Sequence, residues 1–197
     1  FMITIPELVA QALGSFLASD TRSRFGSSQA RLAEFLPYAA RLTLECIGNS
    51  DALYHNIEHT MLVTLAGHDI LMGRAMLRHT TPDDNTNFIL AGLSPDSGYV
   101  RGIVQGDDGD SYVADLSGRT IRLARGSSDA ALGPYHVDRS KLFVFERLDA
   151  AEEVDASRIA KAIEYTRFPY VASSSNDELN EEEGLLLRAA DLIGQLG

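Results

Sequence analysis

Apolar residues recur at helical spacing through most of the chain and predict a mainly α-helical protein. PELVAQALGSFLAS, residues 6–19, begins with proline and repeats its apolar positions every three or four residues, as an amphipathic helix does. The same spacing predicts further helices over residues 27–48, 54–78, 88–93, 139–149, 155–165 and 181–196. We expect the second, third, fourth and last of all these helices to pack around one core.

Two segments interrupt the helical pattern. TPDDNTN, residues 81–87, is polar and predicts a loop that ends in a helix N-cap. Residues 105–138 are rich in glycine, aspartate and serine, and SYVADLSGRTIRLA within them predicts a small β-hairpin that turns at 116–118. The chain is therefore expected to be a single helical domain, residues 1–197, with a loop-and-hairpin insertion at residues 105–138.

Composition and charge narrow the class of protein. The 197 residues are 45% apolar and carry a net charge of −11, which suits a soluble globular protein and disfavours binding to a nucleic-acid backbone. No apolar run approaches the roughly 18–20 residues of a membrane span. The single cysteine, Cys46, excludes an intramolecular disulfide and a thiolate zinc cluster from this chain alone. We expect a cytoplasmic protein with neither a nucleic-acid duplex nor a membrane as partner; a homodimer is left open.

The segment YHNIEHT, residues 54–60, offers a candidate pair of imidazoles. On a helix, His55 and His59 lie one turn apart on the same face, where they could share a metal or divide ligation and proton donation between them. The alternative is two partly buried histidines that only make hydrogen bonds. His68 and Asp69 follow nearby, but His68 is nine residues after His59, which turns it to the opposite face. We therefore expect His68 and Asp69 to be structural.

Two acidic residues are the strongest candidates for partners of this pair. Asp96 directly follows an apolar helical run and precedes Gly98, which places a carboxylate at a sharp turn. An ion pair with Arg101 is its alternative role. Asp191 lies in GLLLRAADLIGQL, which is apolar on nearly every side, so its carboxylate needs a partner or a cation. A pair with Arg188 at i,i+3 spacing is the alternative.

The end of the insertion carries a cluster of charged groups. GPYHVDRSK, residues 133–141, includes His136, Asp138, Arg139 and Lys141. Such a group could hold a phosphate or a carboxylate. The alternative, equally compatible with the sequence, is a loop held by its own ion pairs.

Taken together, these segments resemble the HD superfamily of metal-dependent phosphohydrolases. YHNIEHTMLV looks like the Tyr-His-Asn-x-x-His segment of its cyclic-nucleotide phosphodiesterase branch. FILAGLSPDSGYVRG is similar to the segment that bears the His-Asp pair, and RAADLIGQLG resembles the distal aspartate helix. GPYHVDRSKLFV and IEYTRFP are similar to a bacterial subgroup with such an insertion. The resemblance covers most of the chain from residue 54 and implies an HD-like helical bundle, whose last part would lie beyond residue 197.

The resemblance also implies roles for individual residues. His59, Asp96 and Asp191 would bind a divalent metal (Mn, Fe, Mg or Zn), with Asp96 as the central ligand of the catalytic site. His55 would protonate the leaving group, and Asn56 would orient His55. The implied reaction is hydrolysis of a small phosphorylated molecule, such as a nucleotide, by water that the metal activates.

The remaining implied contacts lie in the insertion, where His136, Arg139 and Lys141 would bind the substrate phosphate. One departure from the family stands against activity: Pro95 occupies the position of the histidine in the His-Asp pair and offers no lone pair to a metal. The metal could be bound weakly, be lost, or take His136 as a substitute ligand. The alternative function is a degenerate HD module that binds a ligand or a protein without turnover. A di-iron oxygenase ranks last, because such sites need more histidines.

Overall fold

The computed structural model describes residues 4–149, 151–152, 154–169 and 178–196. Within these residues the fold is mainly α-helical, with one small antiparallel hairpin, as the sequence predicts. The helices are α1 (Ile5–Phe25), α2 (Ala30–Ile47), α3 (Ile57–Ala75), α4 (Pro82–Leu93), α5 (His136–Arg147), α6 (Ala156–Glu164) and α7 (Glu178–Gly194). The strands are β1 (Ser111–Val113) and β2 (Thr120–Arg122). Short 3-10 helices occur at Ser27–Gln29, Ser97–Tyr99 and Asp129–Tyr135.

Helix α4 lies at the centre of the molecule. Every residue from Asn85 to Leu93 is buried, and α4 contacts α2, α3, α6 and α7. Helix α1 packs along α2, and α3 packs along α7. Side chains from both halves of the chain meet in one core, among them Leu36, Leu44, Leu71, Phe88, Leu90, Phe143 and Leu187. The four helices that were predicted to share a core therefore do so.

The predicted loop at residues 81–87 is instead the beginning of α4. Thr81 and Asp84 form a capping box, in which the backbone N–H of Asp84 donates to Oγ1 of Thr81 and the N–H of Thr81 donates to Oδ2 of Asp84. Pro82 occupies the first turn, where a missing N–H costs no hydrogen bond. The predicted N-cap is thus confirmed at Thr81, whereas residues 82–87 are helical and the prediction of a loop there is wrong.

Helix α3 begins three residues later than the sequence pattern predicts. Oδ1 of Asn56 accepts a hydrogen bond from the N–H of His59 at 3.0 Å and caps the helix, which starts at Ile57. His55 therefore precedes the helix, and the prediction that His55 and His59 share a helical face is wrong. His55 lies instead in a turn before the helix, where the N–H of Asn56 donates to the carbonyl of Tyr54 at 3.0 Å.

The turn after α4 is fastened to the start of α5. The N–H of Gly98 donates to Oγ of Ser140, and that hydroxyl donates to the carbonyl of Pro95 at 2.6 Å. A Cβ at residue 98 would lie only 1.9 Å from the carbonyl oxygen of His136, so glycine is required by the close approach of two backbones. Because Ser140 holds both Pro95 and Gly98, these hydrogen bonds fix the position of Asp96, which lies between them in the chain.

A second set of contacts joins the insertion to the loop before α3. The backbone N–H of Asp51 donates to Oδ2 of Asp129 at 3.2 Å, and the N–H of Asp129 donates to Oδ1 of Asp51 at 2.6 Å. Nε of Arg101 lies 2.7 Å from Oδ1 of Asp129, so Arg101 is paired with this residue, and not with Asp96 as one alternative had it.

The predicted hairpin is confirmed, with Tyr112 opposite Ile121 in the register. No helix in the described part of the chain is long and apolar enough to cross a membrane.

Candidate metal centre

Three of the predicted site residues come from separate parts of the fold and meet at one point. His59 lies in the first turn of α3, Asp96 in the turn after α4, and Asp191 on α7. Nε2 of His59 is 3.2 Å from Oδ2 of Asp96 and 3.3 Å from Oδ1 of Asp191. His59 and Asp96 are each only 4% exposed. The structure therefore brings these three side chains together in a largely buried cluster.

His55 approaches the same carboxylate from the other side. Its Nδ1 lies 3.1 Å from Oδ1 of Asp96. The donor atoms of His55, His59 and Asp96 all lie within 4.8 Å of one another, so they form a His–His–Asp group that could hold a metal ion. Asp191 adjoins this group through His59.

Several donor atoms of this cluster have no hydrogen-bond partner among the residues that the structure describes. They are Nδ1 of His55, both ring nitrogens of His59 and Oδ2 of Asp96, and each is buried. Leaving a buried polar atom without a partner costs about 1–3 kcal/mol. The nitrogens and oxygens lie 3.1–3.3 Å apart, yet they do not make aligned hydrogen bonds with one another.

The spacing of these atoms matches that of neighbouring ligands around a cation. Donor atoms about 2.1 Å from a metal lie about 3.0 Å apart in an octahedron and about 3.4 Å apart in a tetrahedron. The separations of 3.1, 3.2 and 3.3 Å fall between these values. Imidazole nitrogens and carboxylate oxygens are also donors suited to Zn, Fe and Mn. The residues present therefore fit a divalent cation.

The imidazoles and carboxylates of the cluster shift one another's pKa values. Burial lowers the pKa of His59, but the adjacent carboxylates of Asp191 and Asp96 outweigh burial and raise this pKa to about 10. Burial raises the pKa of Asp96, but the imidazoles of His55 and His59 outweigh burial and hold this pKa well below its usual range. At neutral pH the metal-free cluster thus contains an imidazolium between two carboxylates, which is a site that attracts positive charge.

The raised pKa of His59 predicts how the stability of the metal-free protein depends on pH. Its stabilising contribution is complete below the unfolded value of 6.5 and is lost as the pH rises from 6.5 to about 10. We expect the free energy of unfolding to fall by at least about 1 kcal/mol over that range, since each unit of pKa shift corresponds to about 1.4 kcal/mol. Urea denaturation at several pH values, with a chelator present, measures this change.

The matched control for this prediction is His59→Gln, in which the other titrating groups are unchanged. Its stability should vary less between pH 6.5 and 10 than that of the wild-type protein. Equal pH dependence in the two proteins would contradict the prediction.

An aromatic stack borders the cluster. The ring of Tyr99 stacks on the imidazoles of both His55 and His136, with centroid distances of 4.1 and 4.6 Å and interplanar angles of 15° and 19°. Burial and the negative charges of Asp96 and Asp191 raise the pKa of Tyr99, which keeps its phenol neutral. The sequence carries only a weak signal for Tyr99, an aromatic residue three positions after Asp96.

Of the three residues predicted to bind phosphate, only His136 borders the cluster. Its ring centroid is 6.2 Å from that of His55. Nδ1 of His136 lies 2.5 Å from the carbonyl oxygen of Gly133, and burial lowers the pKa of this imidazole. A neutral His136 with Nδ1 bonded to a carbonyl presents Nε2 as an acceptor.

Arg139 has a structural position instead. It is fully buried, and its five N–H groups donate to the carbonyls of Gly98, Val100 and Val113 and to both carboxylate oxygens of Asp107. No guanidinium donor is left for a substrate. Arg139 therefore holds the backbone together and does not make the predicted phosphate contact.

Lys141 is likewise engaged within the protein. Its ammonium group pairs with Glu164 and lies 3.4 Å from Oδ1 of Asp138. These contacts join α5 to α6. Asp138 belongs to the charged segment but Glu164 does not, so the alternative of a loop held by its own ion pairs describes only part of the arrangement.

The remaining candidate residues do not contribute donor atoms to the cluster. His68 is buried near α1, with Nε2 3.3 Å from Oδ2 of Asp20 and Nδ1 3.2 Å from Oδ1 of Asp69, in agreement with the structural role predicted for it. Asn56 spans from the carbonyl of Leu53 to the N–H of His59, so it orders the segment that contains His55. Arg188 donates to the carbonyls of Tyr165 and Arg167.

Among the comparisons with known proteins, a protein-family model matches this chain. Neither the curated proteins nor the solved structures include a significant match to this chain. The family model described as Npun_R2479-like matches residues 3–197, nearly the whole chain. The chain therefore belongs to the Npun_R2479-like family.

Proposed function

We propose that this protein is a divalent-cation-dependent phosphohydrolase that acts on a small phosphoester, for example a nucleotide. The observation that carries the proposal is the convergence of His59, Asp96 and Asp191 from α3, the turn after α4 and α7. Buried nitrogen and oxygen atoms without hydrogen-bond partners support it further, because a cation would satisfy them.

The resemblance to the HD superfamily leads to the same activity. The order of the histidine pair, the aspartate after an apolar helix and the distal aspartate in this chain resembles that of the family's ligands. An imidazole nitrogen together with carboxylate oxygens favours Zn, Fe or Mn over Mg, which prefers oxygen ligands and bound water.

In this proposal the residues of the chain divide the work of the site. A divalent cation bound here would polarise a phosphoryl oxygen and lower the pKa of a water molecule that attacks phosphorus. Asp96 and Asp191 supply the negative charge that retains a cation, and His59 is fixed between them. Either His55 or solvent protonates the leaving oxygen, and the ring of His136 stacks on Tyr99, which also stacks on His55.

The experiment combines metal analysis with a hydrolysis assay. Metal-free protein is incubated separately with Mn²⁺, Fe²⁺, Zn²⁺ and Mg²⁺, and its metal content is measured by mass spectrometry. The loaded protein is then assayed on bis(p-nitrophenyl) phosphate and p-nitrophenyl phosphate, with and without a chelator. We expect stoichiometric binding of at least one metal and hydrolysis that the chelator abolishes. Failure to bind any of the four metals would remove the proposal.

The second candidate function is a degenerate module without turnover, and Pro95 is the observation that favours it. The carbonyl of Pro95 accepts a hydrogen bond from Ser140, so this residue is part of a buried structural turn. The same experiment separates the two functions. Stoichiometric metal binding without hydrolysis of either substrate supports the module, whereas chelator-sensitive hydrolysis excludes it.

A further inference from the structure

The position of His55 within the cluster indicates a role different from proton donation. The Asp96 carboxylate lies between two imidazoles, with Nδ1 of His55 3.1 Å from one oxygen and Nε2 of His59 3.2 Å from the other. His55, His59 and Asp96 are the group whose donor atoms all lie within 4.8 Å of one another. His55 is therefore placed as closely to the centre of the cluster as the residues that the sequence predicted to be ligands.

The hydrogen bonding of Nδ1 separates two roles for His55. A proton donor would use Nε2 toward the substrate and would orient its ring by an aligned hydrogen bond from Nδ1 to Asp96. Across the described residues, Nδ1 of His55 has no hydrogen-bond partner, although it is buried and close to that carboxylate. A buried Nδ1 without a hydrogen-bond partner, in a group whose donor atoms all lie within 4.8 Å of one another, suits a ligand.

The orientation of the His55 ring is set by its neighbours. Tyr99 stacks on the His55 ring at a centroid distance of 4.1 Å, and the His136 ring stacks on Tyr99 at 4.6 Å. Tyr54 contacts the ring in an edge arrangement at 5.1 Å. A ligand whose ring is already packed loses little side-chain entropy when it binds a cation, which is what a preformed site requires.

The chemistry of the site provides the last argument. Pro95 stands where the resemblance leads one to expect an imidazole, and a proline has no lone pair to contribute. His55 approaches the shared Asp96 carboxylate from a different segment of chain, so it would restore a second imidazole to the donor set. We propose that His55 is a ligand of the divalent cation through Nδ1 and supplies the imidazole that Pro95 removes. This inference rests on the proposed function, because it assumes the cation site.

A spectroscopic titration tests the assignment without relying on activity. Metal-free wild-type protein, His55→Gln and His136→Gln are titrated with Co²⁺, and the visible absorption bands report the ligands and the affinity. We expect His55→Gln to lower the affinity at least about tenfold and to change the bands, because a ligand has been removed. His136→Gln is the matched control, since it removes an imidazole from the same stack, and it should change the affinity less than about threefold.

A second measurement on the wild-type protein gives an answer even if His55→Gln fails to fold. Pulsed electron paramagnetic resonance of the Cu²⁺-loaded protein counts the imidazoles bound to the metal. Coordination by both His55 and His59 predicts two bound imidazoles, whereas His59 without His55 predicts one.

The outcomes distinguish this inference from the function on which it rests. Equal Co²⁺ affinity and identical bands in wild-type protein and His55→Gln, or one bound imidazole, would overturn the role of His55 and leave the cation site intact. Absence of Co²⁺ and Cu²⁺ binding by the wild-type protein would overturn the site and the role of His55 together. A weakened, altered Co²⁺ site in His55→Gln with two imidazoles in the wild type supports the assignment.

Discussion

Replacing Arg139 with methionine should lower the free energy of unfolding by about 3–5 kcal/mol, because it leaves an uncompensated buried charge. The Asp107 side chain is only 2% exposed and forms a two-point ion pair with the fully buried guanidinium. The substitution also removes the donors that satisfy the carbonyls of Gly98, Val100 and Val113. Since small domains are stable by only about 5–15 kcal/mol, the variant should be close to unfolding. Urea denaturation of the metal-free protein measures the loss.

Two further variants define the cause of this loss. Arg125→Met makes the same substitution at an exposed position and should change stability by less than about 0.5 kcal/mol. In the double variant Arg139→Met with Asp107→Leu, the unpaired carboxylate is gone, so part of the stability should return. If Arg139→Met cost less than about 1 kcal/mol, the structural role of Arg139 would have to be abandoned.

Asn at position 96 should weaken Zn²⁺ or Co²⁺ binding by more than about 100-fold, since even outer residues of metal sites commonly contribute 10–100-fold. The two oxygens of Asp96 lie 3.1 and 3.2 Å from nitrogens of His55 and His59. An asparagine side chain keeps one oxygen, places an N–H₂ donor at the other position and carries no charge. Phosphoester hydrolysis should fall together with metal binding. Calorimetric titration and the bis(p-nitrophenyl) phosphate assay measure both effects.

The matched control is Asp110→Asn, which makes the same chemical change at an exposed carboxylate beside β1. It should bind metal as the wild-type protein does. Thermal melting of metal-free Asp96→Asn must show a cooperative transition, so that weak binding reflects the site and not an unfolded chain. Wild-type affinity in a folded Asp96→Asn protein would show that the cation lies elsewhere.

The insertion shows where reasoning from sequence fails. Arg139 and Lys141 occur in a charged segment that is as compatible with phosphate binding as with internal ion pairs. The decisive partners, Asp107 for Arg139 and Glu164 for Lys141, lie 32 and 23 residues away in sequence. Local spacing carries no information about such distant contacts, so only the packed structure could give these residues their positions.

At the start of α3, the contact that the sequence pattern fails to predict is between residues close in the chain. Helical periodicity predicts a helix from Tyr54, but the Asn56 side chain caps the helix and α3 begins at Ile57. The choice between continuing a helix and capping it depends on where the chain must enter, and here Asp51 is joined to Asp129 across the fold. His55 consequently reaches Asp96 from the turn before the helix, which a helical wheel does not show.

Periodicity and composition were sufficient for the mainly helical class and the hairpin near residue 116, because these features depend on local alternation of apolar and polar residues. Local context made His59, Asp96 and Asp191 candidates, and the resemblance to the HD superfamily implied that they form one set of ligands. The tertiary structure alone decided that His55 lies 3.1 Å from Asp96, that Tyr99 stacks on both His55 and His136, and that Arg139 is structural. The reason is physical: distances between side chains on separate elements are set by the packing of those elements in the core, and short-range sequence patterns do not encode that packing.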